Sequence, residues 1–214
     1  MIEFELKRSG ILFVVSAPSG GGKSTIIREL LANDATLSYS ISGTTRAARS
    51  DEQEGREYYF YSIEDFQRLI DEDRLYEYAL VHGNYYGTLK SEVDSKLHAG
   101  GDVILDLDVQ GSVELKKKAP ECVSIFILPP SLATLEKRLR GRGSDEEETI
   151  QRRLLNARTE LRMAERYDYV LVNRVLTETI EQMKTIIAAE RFRASRLTVR
   201  DSLGSLLVSA GSEA

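Results

Sequence analysis

The chain is poor in cysteine, histidine and proline and has no tryptophan. Among 214 residues there are one cysteine (Cys122), two histidines (His82 and His98) and four prolines. A single thiol excludes an intrachain disulfide, which suits a reducing compartment. Cys122 stands between Glu121 and Val123 at the entry to an apolar run, a packing position rather than a nucleophile's. Two histidines and one cysteine supply no zinc-ligand spacing. No apolar run approaches the roughly twenty residues needed to cross a bilayer. Glu3 and Glu5 ahead of the short stretch Ile11 to Val15 do not make a signal peptide. Positive charge is not in excess either: the net charge is −5, which argues against nucleic acid as a partner. A cytoplasmic protein with no membrane partner is the default expectation. Internal repeats and low-complexity tracts are absent.

What is present fits one compact α/β domain with insertions, or at most two small domains. The 42% apolar and 29% charged fractions are those of an ordinary globular chain. Ile11 to Val15, Val103 to Leu105, Val123 to Leu128 and Tyr169 to Val172 are continuous apolar runs, the pattern of strands covered on both faces. Helical stripes lie between them: Ile26, Ile27, Leu30 and Leu31; Ile150, Leu154, Leu155, Leu161 and Met163; Ile180, Met183, Ile186 and Ile187. The alternation predicts an α/β fold with a mainly parallel sheet. Ser62 with Asp65 three residues on predicts the start of a helix through Phe66, Leu69 and Ile70. Residues 38–88 differ in character. They hold eight of the ten tyrosines and few long apolar runs, which predicts an inserted, β-rich small lobe. Beyond Ala194 the chain is rich in Ser, Gly and Ala without a period, so residues 195–214 are expected to be a flexible tail.

The most specific local signal is Ala17-Pro18-Ser19-Gly20-Gly21-Gly22-Lys23-Ser24, between a predicted strand and a predicted helix. Three glycines let backbone N–H groups converge on one small volume and let a phosphate approach closely. The following helix presents its positive end there. Lys23 has the reach for the β- and γ-phosphates of a nucleoside triphosphate, and the Ser24 hydroxyl can ligate Mg²⁺. The strict motif begins with glycine, so Ala17 is a departure. Asp106, in Val103-Ile104-Leu105-Asp106-Leu107-Asp108, is the candidate for the water shell of Mg²⁺. For Asp108, a site role and a helix cap near Val109 are equally open.

The order of motifs resembles the guanylate kinase family from about Gly10 to Ala189. It runs through Ser16 to Ser24, Ser42-Gly43-Thr44-Thr45-Arg46-Ala47-Ala48-Arg49 and Gly55 to Phe60. It continues through Tyr76-Glu77-Tyr78-Ala79, Gly83-Asn84-Tyr85-Tyr86-Gly87-Thr88, Leu105 to Gly111 and Pro129-Pro130-Ser131, and ends at Arg138 to Gly143. The resemblance implies a P-loop nucleoside monophosphate kinase with a core (9–37, 89–139 and 157–194), a GMP-binding lobe (38–88) and a helical lid (about 140–156). It implies transfer of the γ-phosphoryl group of ATP to GMP, and to dGMP, with Mg²⁺, in purine nucleotide metabolism and GMP recycling. Monomer and homo-oligomer are both open.

Residue by residue, the resemblance assigns Lys23, Arg46, Arg138 and Arg153 to catalysis. It assigns residues 17–25 (Ala17, Pro18, Ser19, Gly20, Gly21, Gly22, Lys23, Ser24, Thr25), Arg138, Arg142 and Asn173 to ATP. Ser42, Arg46, Arg49, Tyr58, Glu77, Tyr86, Thr88 and Asp108 go to GMP, and Ser24 with Asp106 (through water) to the metal. The chemistry agrees. Two forked cations and two phenols suit a phosphate dianion. A carboxylate at Glu77 can accept from both guanine donors, N1–H and N2–H, with the Ser42 and Thr88 hydroxyls for the rest of the base edge. Each residue also has a plainer reading. Arg46 and Arg49 suit a solvated loop, Tyr58 and Tyr86 strand packing, and Glu77 an outward strand position. The arginines at 138, 140, 142, 152, 153, 158 and 162 suit a solvated helix face with partners such as Glu148 to Arg152. Arg174 stands where the family commonly has an acid, near the donor adenine. A sugar-phosphate kinase of the same fold, a non-catalytic binding module and a nucleotide-sensing switch are the rival functions.

Overall fold

The computed structural model describes residues 3–141, 147–201 and 206–208. A short strand, β1 (Phe4–Arg8), precedes β2 (Leu12–Ser16) and the helix α1 (Lys23–Asn33); β3 (Leu37–Tyr39) follows. The chain then makes β4 (Gly43–Thr44), β5 (Tyr59–Phe60), α2 (Ile63–Asp71) and the hairpin of β6 (Leu75–Val81) and β7 (Asn84–Leu89). It returns through α3 (Lys90–His98), β8 (Asp102–Asp106), α4 (Val109–Lys118), β9 (Val123–Leu128), α5 (Leu132–Arg140), α6 (Glu147–Leu161), β10 (Tyr169–Val172) and α7 (Leu176–Arg191). The described end is β11 (Leu197–Asp201) and β12 (Leu206–Val208).

The core is a five-stranded parallel sheet in the order β10-β9-β2-β8-β3. Alternate residues of β2 point to opposite faces, and helices cover both. Phe13 and Val15, with Ile104, Ile125 and Ile127, pack on Ile26, Ile27 and Leu30 of α1 and on Met183, Ile186 and Ile187 of α7. Leu12 and Val14, with Val103 and Leu105, pack on Val93 of α3 and Leu115 of α4. This is why the strands read as unbroken apolar runs. Cys122 lies buried in the second cluster, and burial pushes its thiol up to about 11, as a packing residue requires. Because β2 and β8 are neighbours, the loops that leave their carboxyl ends open side by side, the usual place for a ligand in such sheets.

The lobe is a separate four-stranded sheet, β5-β4-β7-β6, backed by α2. Ser62 caps that helix by accepting from the Asp65 N–H, as its spacing predicts. Phe66 is fully buried against Leu75 and Leu89 and stacks on Tyr85 at 5.4 Å, with Tyr59 and Tyr61 beside it. Partly buried tyrosines thus enlarge a core of only three fully packed apolar side chains. The lobe starts later than residue 38: Ser38 and Tyr39 pair with Val103 and Ile104 in the core sheet, and the lobe sheet begins at Gly43.

Two terminal features depart from the sequence reading. β1 was not anticipated, and Leu197–Asp201, placed in the flexible tail, is a strand paired antiparallel with it; β12 pairs with β11 in turn. The unpaired N–H and C=O groups of an isolated β1 supply the reason, since an edge strand templates another. Asp102, fully buried at the start of β8, ties the region down. It accepts from Arg8, from Arg191 of α7 at 2.7 Å and from the Ile11 N–H at 3.0 Å.

Candidate active site

Residues 17–22 turn tightly between β2 and α1. The Gly21 N–H donates to the Pro18 carbonyl at 2.8 Å, and Gly20 and Gly22 take left-handed φ angles of 92° and 96°. Ala17 explains why Gly21 has no side chain: a Cβ there would lie 2.9 Å from the Ala17 methyl. A Cβ on Gly22 would lie 2.5 Å from Asn173 Nδ2. Asn173 itself is buried at the end of β10 and donates to the Gly21 carbonyl at 2.9 Å, so a residue 152 positions away holds the loop in shape. The Gly22→Ala variant is therefore expected to lose about 1–3 kcal/mol of stability through φ strain and displacement of Asn173. A thermal melt should show Tm lowered by on the order of 5 °C.

Lys23 opens α1, and its ammonium is 2.5 Å from Asp106 at the end of β8 and 2.8 Å from the Leu107 carbonyl it donates to. Ser24 is exposed in the same turn. A hydroxyl and a carboxylate are hard oxygen donors that suit Mg²⁺, which takes one or two protein ligands and leaves the rest to phosphates and water. Among the described residues no cluster of three or more acidic, histidine or cysteine side chains could hold a metal alone. Asp108 accepts from the Gly111 N–H at 2.8 Å and so caps α4, the structural alternative for this residue. It is nonetheless exposed at the cleft. Glu160 of α6, which the sequence did not single out, shares a 490 Å³ hollow with Asp108 and Gln110. Burial, and then Asp108, push its carboxyl above the ordinary range, while Lys23 pulls it back.

A cleft of about 340 Å³ separates lobe from core and is lined by Ser42, Glu77 and Tyr86 on one side and Asp106 and Asp108 on the other. Glu77 and Thr88 are opposite each other in the β6–β7 hairpin, as are Ala79 and Tyr86, so one face of the hairpin supplies them all. The buried Thr88 hydroxyl donates to Glu77 at 2.6 Å, which orients the carboxylate rather than meeting a ligand directly. Burial, with Asp108 nearby, raises the Glu77 carboxyl above its ordinary range, although Thr88 lowers it. Beyond Glu77, the Arg46 guanidinium lies 5.5 Å over the Tyr58 ring, which meets the Tyr86 ring edge-on at 5.9 Å. Glu52, another residue not anticipated, raises the Arg46 pKa further, with Tyr86 adding to it. Arg49 is exposed on the same loop, three residues on.

A third hollow, about 330 Å³, is lined by Gly20, Gly22, Thr25, Arg138 and Asn173. Arg138 comes from α5 and donates to the Gly21 carbonyl at 3.4 Å. Arg153 is half-buried on α6 and does not line this hollow. Arg142 and most of the loop between α5 and α6 lie outside the described residues. Arg174 is exposed, its N–H donating to the Val172 carbonyl, and takes no part in the hollow.

Known proteins resemble this chain over most of its length. The sequence model of the family described as Guanylate kinase matches residues 9–190. A guanylate kinase of Syntrophotalea carbinolica is 46% identical over 201 residues, covering 94% of this chain and 95% of that protein. One of Rhizobium meliloti is 47% identical over 193 residues, covering 90% of this chain and 88% of that protein. The crystal structure of guanylate kinase from Anaplasma phagocytophilum matches with a TM-score of 0.69 at 35% identity, covering 90% of this chain and 92% of that one.

Proposed function

The chain belongs to the guanylate kinase family, and on that premise we propose how its own residues divide the work of moving the γ-phosphoryl group of ATP to GMP. The observation that carries the division is the shared cleft. Glu77 and Ser42 line it from the lobe and Asp106 from the core, and Asp106 is the ion-pair partner of Lys23. The acceptor base therefore shares its space with the carboxylate that pairs with Lys23 of the phosphate loop.

The nucleophile is an oxygen of the GMP phosphate, already anionic near neutral pH, so no general base is required. What remains is alignment, charge neutralisation and exclusion of water. Glu77 accepts from guanine N1–H and N2–H, held in place by Thr88, with Ser42 at the neighbouring base edge. Arg46, Arg49, Tyr58 and Tyr86 hold the acceptor phosphate. Residues 17–25 wrap the donor phosphates with their N–H groups, and Arg138 and Asn173 stand at the donor end. Lys23, Arg46, Arg138 and Arg153 neutralise charge as the phosphoryl group passes, Arg153 on closure of a lid at 140–156 together with Arg142. Asp106, through water, and Ser24 would hold Mg²⁺, which when bound neutralises charge on the donor phosphates. Asp108 keeps its cap and stays close enough to the base to assist at N2–H. The core carries these parts as the lobe, whose own sheet begins at Gly43, and the lid move. dGMP is included as an acceptor.

No helix among the described residues is long and apolar enough to cross a membrane. With the single buried thiol, this supports a cytoplasmic location.

An ADP-release assay with GMP, dGMP, AMP and UMP tests the assignment. GMP and dGMP are expected to turn over and AMP and UMP to be poor acceptors. Arg46→Ala is expected to lower kcat/KM for GMP by about two orders of magnitude or more, as for other preorganised cations. Near wild-type kinetics in that variant would remove Arg46 from the site.

A further inference from the structure

Arg46 sits on a stretch, residues 45–58, with almost no secondary structure of its own. Its backbone N–H groups must find other acceptors. Carboxylates of the same segment serve: Glu57 accepts from the Gln53 N–H at 2.8 Å and Glu54 from the Phe60 N–H at 2.9 Å. Glu52 does more. Its two oxygens accept from Arg46 Nη2 at 2.7 and 2.9 Å, and one of them also accepts from the Arg49 N–H at 2.9 Å. The Glu52 N–H donates back to the Arg49 carbonyl at 3.1 Å, closing the turn from Arg49 to Glu52. One carboxylate thus fastens both residues proposed for the acceptor phosphate: one by its side chain, the other by its backbone.

We propose that Glu52 is the positioning residue of the acceptor-phosphate clamp, holding the Arg46 guanidinium over Tyr58 so that its remaining N–H groups face the GMP phosphate. Arg46 Nη1 donates to the Ala47 carbonyl at 2.8 Å and Nη2 is taken by Glu52, while Tyr86, itself assigned to the acceptor phosphate, is the other polar side chain that acts on the guanidinium. The pair is largely shielded, with 19% of the Arg46 side chain and 10% of the Glu52 side chain exposed. An arginine with four side-chain torsions otherwise loses rotamer freedom when it binds a ligand; here that ordering is done beforehand. The alternative chemistry is that Glu52 is a stand-in anion that GMP must displace, which makes the opposite prediction.

This rests on Arg46 as the cation of the acceptor phosphate, and the experiment separates the two. Glu52→Gln keeps the size and one acceptor oxygen but removes the charge. It is expected to raise KM for GMP about tenfold or more, to change KM for ATP less than twofold, and to leave inhibition by guanosine, which lacks the phosphate, unchanged. In an Arg46→Ala background, Glu52→Gln should change KM for GMP no further, because the two act as one unit. A fall or no change in KM for GMP in the single variant would overturn the proposal, the fall favouring the stand-in anion. Equal weakening of GMP and guanosine would also overturn it, since that marks collapse of the lobe. If Arg46→Ala itself spares KM for GMP, the site assignment fails first. If Arg46→Ala raises it and Glu52→Gln does not, only the role of Glu52 fails.

Discussion

Lys23→Met is expected to lower kcat by about 10²–10³-fold, with KM for GMP changed little. Methionine keeps the length of the stem and removes the charge. The ammonium is held by Asp106 and the Leu107 carbonyl, both at the end of β8, so its place is set by the core sheet. An ordered cation acts on developing charge without reorganising, which is where its rate advantage comes from. The loss should fall on kcat because charge shifts towards the leaving oxygen only as the bond breaks. ADP release at saturating ATP and GMP measures it. A variant with kcat within about threefold of wild type would mean that the glycine loop and Arg138 carry the donor phosphates alone. Asp106 loses its partner in this variant, but it is partly solvated, so only a small loss of stability is expected.

Glu77→Gln is expected to lower kcat/KM for GMP by about 10²–10⁴-fold, from the loss of two charge-assisted bonds of roughly 1.5–3 kcal/mol each. The amide turns an N–H donor towards guanine's own donors, which is worse than an empty site. Discrimination against AMP should fall with it, because Glu77 is the group proposed to distinguish the two bases. Steady-state kinetics with both acceptors measures the change; a variant that still prefers GMP as strongly as wild type would refute the role of Glu77.

The raised pKa of Glu77 adds two further outcomes. Burial and Asp108 favour its neutral form. On acidification the carboxyl therefore takes up a proton at higher pH than an ordinary glutamate, and KM for GMP should rise through that window. The Gln variant should lack this limb of the profile. The sign for stability is the reverse. A carboxyl whose folded pKa lies above its unfolded value supports the fold when protonated and opposes it as pH rises through that pKa. At neutral pH the Gln variant, still able to accept from Thr88, should melt higher than wild type as its activity falls. A lower Tm there would contradict the burial of the charge.

Much of the core was legible from short windows. The four apolar runs became β2, β8, β9 and β10; the first three are covered on both faces and need apolar side chains at nearly every position, whereas β10, at the sheet edge, leaves Val170 and Val172 exposed. The helix at Ser62 was legible because capping is a contact over three residues. The lobe was visible in its tyrosines, but not which of them pack. Tyr59, Tyr61 and Tyr85 line its core, while Tyr58 and Tyr86 turn towards Arg46, a difference set by strand register and by no local property. β1 and β11 were illegible for a similar reason. Phe4 and Leu6 alternate with polar residues in β1, as Leu197 and Val199 do in β11, but both runs are short, and each is a strand only because the other supplies hydrogen-bond partners 189 to 197 residues away.

What the sequence determined by itself is the phosphate loop and the order of motifs around it. Glycines able to take left-handed φ angles, a lysine and a helix start are properties of neighbouring residues, so they were legible at 17–24 before the rest of the chain was placed. What only the tertiary structure decided is which charge meets which. Lys23 faces Asp106 because β2 and β8 are adjacent, Thr88 reaches Glu77 across a hairpin, Asn173 holds the Gly21 carbonyl, and Glu52 fastens Arg46. Hydrogen bonds and ion pairs act over about 3 Å, and only folding brings groups so far apart in the chain within that range.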